Sequence, residues 1–166
     1  MSIAALLLCA LLCTLPGWAG QAVIRSDEQP ADTLIVLQMG ACERQCPVYK
    51  IVLFADGSGV FDGRHYVRRP GVMRFKIGLE VLGKLVAEAD AIRFFELKSR
   101  YLASEPGAGV CETPKPDAPI AVLTLSGRGR AKTLQHNRGC GGGDAVRLKQ
   151  FEDWIVEATQ VSKWIR

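Results

Sequence analysis

Nowhere does the 166-residue sequence hold the run of about 20 apolar residues that a membrane-spanning helix requires. Its longest such run, Ile3 to Leu15, has the length of a signal-peptide core, and no transmembrane segment is expected in the mature chain. Charge is lacking there too: the first charged residue is Arg25, so the formal net charge of +4 belongs wholly to the chain beyond the leader. An excess that small suits an envelope protein and gives no reason to expect nucleic acid as a partner. Also missing are a C-x-x-C redox motif, the phosphate loop G-x-x-x-x-G-K-[ST] and a strand-adjacent G-x-G-x-x-G. Their absence removes the sequence grounds for a nucleotide or other cofactor. The carboxylates Glu80, Glu88, Asp90, Glu96, Glu105, Glu112 and Asp117 are scattered, with no two in the setting of a paired acid and base. No catalytic, cofactor-binding or metal-binding residue is assigned, which weighs against an enzyme.

What is present begins with the leader. Pro16 and Gly17 break the apolar run, and Gly17-Trp18-Ala19 places small residues where a signal peptidase reads; a second cut could follow Ala22. Cys9 and Cys13 each follow a leucine, which argues against lipidation. We therefore expect a signal peptide over 1–19, a flexible lead-in over 20–32 and a single α+β domain over 33–166, periplasmic or secreted after cleavage.

Within that domain, Thr33–Met39 is β-branched and apolar on both faces, the pattern of a central strand. Val48–Phe54 alternates Tyr49, Ile51 and Leu53 against Val48, Lys50, Val52 and Phe54, and ends at the Asp56-Gly57 turn signal. Val60-Phe61 starts a third strand, Asp62-Gly63 suggests another turn, and Arg64–Arg69 and Val72–Ile77 read as two further strands. The period then changes: Leu79, Leu82, Leu85, Val86 and Ala89 mark an amphipathic helix, with Phe94, Phe95 and Leu97 closing one end of the core. Lys98–Pro119 reads as a long surface connection, and Ile120–Ser126 with Ala131–His136 as a second hairpin. Asp144 is positioned to cap a last helix whose inner face is Leu148, Phe151, Trp154, Ile155 and Ala158, and Trp164 reads as C-terminal packing. The expected fold is thus an antiparallel β-meander plus a second β-hairpin, with two helices packed on the sheet.

Removing the leader leaves four cysteines, Cys42, Cys46, Cys111 and Cys140, with three possible connectivities. In an exported chain they read first as two structural disulfides, Cys42–Cys46 and Cys111–Cys140, which would staple the fold and pin the long connection. Two alternatives involve free thiolates. A four-cysteine zinc site normally uses two closely spaced pairs, and here the second pair is far apart. A thiol enzyme or redox protein could use Cys42 and Cys46, or Cys140 before a helix N-terminus with His136 as its base. Basic residues fall into two groups: Arg64, His65, Arg68, Arg69, Arg74 and Lys76 on the meander, and Arg128, Arg130, Lys132, His136 and Arg138 on the second hairpin. If the hairpins share one edge, Arg64, Arg68, Arg69, Arg128, Arg130 and Lys132 form a strip for an anionic partner, either an envelope protein or an anionic cell-wall component. The alternative is that these charges keep edge strands from pairing with other chains.

Gly40-Ala41-Cys42 followed by Cys46-Pro47-Val48-Tyr49, the Asp56-Gly57 turn and Phe94-Phe95-x-Leu97 resemble a bacterial family, domain of unknown function 6438. Tyr101, the second hairpin, the turn at Cys140 and a closing helix ending near Trp164 extend the likeness over roughly residues 33–164. The resemblance implies a short exported or lipoprotein-anchored chain and supplies no catalytic residues. The function it leaves open is read as a non-enzymatic envelope binding or interaction module.

Overall fold

A computed structural model describes residues 33–102 and 107–166. The expected leader over 1–19 and lead-in over 20–32 lie outside the described residues. Seven strands form one sheet: β1 Thr33–Met39, β2 Val48–Phe54, β3 Ser58–His65, β4 Gly71–Lys76, β5 Arg100–Tyr101, β6 Ile120–Gly127 and β7 Arg130–Asn137. Their order is β4-β3-β2-β1-β6-β7-β5, with every pairing antiparallel except β5 with β7. Helices α1 (Leu79–Ala91) and α2 (Gly143–Ala158) pack against one face, and a short α3 (Ser162–Ile165) closes the C-terminal end. This is an α+β domain stapled by two disulfides, as the residue pattern indicates.

The cross-strand register explains the core. Leu37 pairs with Ile51 on one side and Leu123 on the other, Ile51 with Phe61, and Leu123 with Leu134, so one row of apolar side chains crosses five strands. All five are fully buried beneath Leu85, Phe94, Leu148, Phe151 and Ile155 from the helical layer. β1 is central, as its sequence indicates, and its other face adds half-buried Leu34 and Val36. The 3-10 turn Phe94–Glu96 buries Phe94 completely, with Phe95 edge-on to it at 5.7 Å.

Several expectations need correction. Asp62-Gly63 does not turn; β3 runs straight through it, with Asp62 opposite Val72 and Gly63 opposite Gly71, and the reversal lies at 66–70. Ladder pairing on both sides of β3 outweighs the local turn preference of the dipeptide. Hence Arg64–Arg69 is not a strand but the end of β3 and its loop. The connection after Lys98 is not all surface: it contributes β5, whose Tyr101 is fully buried, with its ring where a side chain at Gly109 would have to go. Gly142, not Asp144, caps α2; Asp144 sits in the first turn and accepts a hydrogen bond from the Tyr101 hydroxyl (3.2 Å). The inner face of α2 includes Glu152, fully buried, while Trp154 and Ala158 are only partly covered.

Candidate functional site

Both cysteine pairs stand bonded. Cys42–Cys46 closes a clip whose Glu43, Arg44 and Gln45 are exposed, with the Cα atoms 5.7 Å apart. Cys111–Cys140 is buried, spans 29 positions and brings its Cα atoms to 4.9 Å, joining the long connection to the turn before α2. Cys140 therefore carries no thiol in this structure, and His136, its would-be base, faces a different partner.

His136 and Glu152 are both fully buried, and His136 Nδ1 lies 3.1 Å from Glu152 Oε1. The other oxygen, Oε2, accepts from Arg138 Nη1 at 2.7 Å, and Arg138 Nη2 reaches Asp153 at 2.6 Å. Burial works against the Arg138 charge, but Glu152 and Asp153 more than offset it and hold the guanidinium above its ordinary pKa. Nearby, Tyr49 is pushed up to about 12, chiefly by burial, with Asp153 and Glu152 adding to it and Arg138 and Arg166 opposing. His136 Nε2 has no hydrogen-bond partner among the described residues. The His136–Glu152 end is fully buried between β7 and α2 while Asp153 at the other end is exposed, so the cluster is a strut between sheet and helix that reaches the surface at Asp153. Nothing in composition or spacing marks it, because Glu152 sits at an ordinary helical position.

The six residues of the expected basic strip are not brought together. The β3–β4 and β6–β7 hairpins lie in opposite halves of the sheet order, and their loops point to opposite ends of the strands. At the second hairpin the charges are engaged: Arg128 pairs with Asp90 (3.3 Å) and Arg130 lies 3.9 Å over the Phe95 ring. Lys132 donates to the carbonyls of Phe95 (3.1 Å) and Leu97, and burial, helped by Lys98, lowers its pKa. Arg64 pairs with Asp62 at 3.1 Å.

Arg68 and Arg69 are different. Both are exposed and make no ion pair among the described residues. Their backbone is anchored, because the Arg68 N–H donates to the Ile165 carbonyl (3.3 Å) and the Arg69 N–H to that of Trp164 (3.0 Å). Trp164 in turn packs on Phe61 (5.5 Å) and Phe75 (6.4 Å). The loop can cross here because residue 63 is glycine: a Cβ there would stand 2.5 Å from the Arg69 carbonyl oxygen. Just before the arginines, Tyr66 holds a left-handed backbone (φ 53°) with its side chain 60% exposed. A non-glycine residue in that region stores on the order of 1 kcal/mol of strain. Val72, beyond the loop, is 66% exposed. An aromatic, two free guanidiniums and a valine thus share one rigid corner, held by the C-terminal α3. Sequence reasoning singled out Arg68 and Arg69 but not the part of α3, since that contact joins residues about a hundred positions apart.

The chain matches domain of unknown function DUF6438 over residues 33–159, from the first residue of β1 to the turn after α2. It belongs to that family. The match takes in the Cys42–Cys46 clip, the buried disulfide and the His136–Glu152–Arg138 strut of this DUF6438 domain, and stops short of α3. A comparison with curated proteins gives no match.

Proposed function

We propose that this DUF6438 domain is an exported, non-enzymatic module that binds an anionic partner in the cell envelope through its β3–β4 corner. The observation that carries this reading is the corner itself, with Tyr66, Arg68 and Arg69 exposed on a backbone clamped to α3. Tyrosine and arginine dominate the energetics of protein contacts because each buries a large, rigid surface and still offers polar groups. Export is supported by two disulfides, which persist in oxidising compartments, and by the apolar stretch Ile3 to Leu15. With all four cysteines of the domain paired, a thiol-based activity has no free sulfur to use in this form.

The test is retention of the purified domain on an anionic matrix across a salt series. Retention should fall steeply with salt, and reversing Arg68 and Arg69 to Glu should abolish it while circular dichroism is unchanged. Retention equal to wild type in that variant would remove the corner from the reading. Fractionation of a producing cell, with intact mass of the recovered protein, tests export: a cytoplasmic, uncleaved chain would contradict it.

A further inference from the structure

β4 ends the sheet on one side, and nothing among the described residues pairs with its outer edge. The opposite end is treated differently: β5 pairs beside one end of β7, and Lys132 within β7 is tied to backbone carbonyls. An edge strand presents alternate N–H and C=O groups outward, and an extended peptide can satisfy them by joining as one more strand. β4 is long enough for this, with six residues and no proline inside it. Its side chains also say what would fit. Val72, Arg74 and Lys76 share one face and are exposed, whereas Met73 and Phe75 are half-buried on the other, with Phe75 beside Trp164. Arg74 has no acidic partner among the described residues, like Arg68 and Arg69 at the strand's loop end.

From this geometry we infer that β4 accepts an extended acidic segment of a partner protein as an eighth strand, its far end reaching Tyr66, Arg68 and Arg69. The incoming strand sets carboxylates opposite Arg74 and Lys76 and apolar residues opposite Met73 and Phe75, an alternation of acidic and apolar positions. Opposite charges directly across a ladder attract, and like charges repel. The same argument disfavours a second copy of this chain, since β4 against β4 would bring the Arg74 and Lys76 side chains of both together. This inference rests on the corner being a binding surface and goes further in naming the partner's chemistry.

The experiment uses a fluorescent peptide of alternating glutamate and valine, read by anisotropy against the purified domain. Two companion probes carry the same charge: one with the residue order scrambled, and one N-methylated at alternate backbone positions. Strand addition predicts saturable binding of the alternating peptide and a loss of about tenfold or more in affinity for both companions, because two or more backbone hydrogen bonds go unmade. Reversal of Arg74 and Lys76 to Glu should abolish binding with the fold intact by circular dichroism. Equal binding of all three peptides, lost on reversing Arg68 and Arg69, would overturn strand addition while leaving the anionic corner standing. No binding of any peptide and no salt-dependent retention on an anionic matrix would overturn both. Self-association of the domain in place of peptide binding would also overturn the proposal.

Discussion

Removing the Cys111–Cys140 bridge should cost this domain more than removing Cys42–Cys46, and loop length fixes by how much. The first bridge closes 29 positions and the second only 4. In the chain-entropy treatment the closed loops correspond to about 3.6 kcal/mol and about 2 kcal/mol at 25 °C. Local environment widens the gap, since Cys111 and Cys140 are 1% and 5% exposed and their replacement leaves unfilled space against Tyr101 and α2. At about 3–4 °C per kcal/mol for a domain this size, Cys111→Ala/Cys140→Ala should melt roughly 10–15 °C below wild type. Cys42→Ala/Cys46→Ala should melt only about 6–8 °C below. The assay is thermal unfolding by circular dichroism, with urea melts in which loss of the longer bridge should also raise the m-value, because the unfolded chain expands. Equal shifts, or a larger one for the exposed clip, would refute the reasoning, because they would mean that loop closure and burial do not govern what these bonds contribute.

Glu152→Ala should destabilise by about 3–5 kcal/mol in urea denaturation, since it strands a buried histidine and half of a partly buried guanidinium's contacts. His136→Leu should cost clearly less, because it removes one hydrogen bond together with the nitrogen that has no partner; the reverse order would show that the strut is misassigned. Stability should also fall in alkali. Tyr49 ionises near 10 when unfolded but is held to about 12 when folded, so its contribution is complete below pH 10 and is lost as pH rises from about 10 to 12. The loss amounts to up to about 2–3 kcal/mol. Tyr49→Phe should flatten that limb of a stability–pH profile, and a profile unchanged by the substitution would exclude Tyr49 as its cause.

Much of the fold can be read from residues alone, and the reason is local. Thr33–Met39 and Val48–Phe54 carry their period and their β-branched content within themselves, and observed bounds coincide with those runs. The helix from Leu79 likewise writes its buried stripe, Leu82, Leu85 and Ala89, at three- and four-residue spacing. The pairing of cysteines came from compartment and spacing, and the G-x-C-x-x-x-C-P-x-Y block was enough to indicate the family.

What the tertiary structure alone decided involves residues far apart in the chain. Asp62-Gly63 continues as strand because β2 and β4 hydrogen-bond to β3 on both sides, overriding a turn preference worth less than a ladder. β5 is too short to carry a pattern and exists only as a parallel neighbour of β7. Glu152 looks like any surface glutamate on a helix until His136 and Arg138 meet it across the layer. The two basic groups, alike in composition, part company for the same reason. Strand order sends them to opposite ends of the sheet, where Asp90, Phe95 and Leu97 occupy one group and α3 props the other open to solvent. Sequence determines which residues prefer to be strand, helix or buried; which charges remain free for a partner depends on what long-range packing sets beside them.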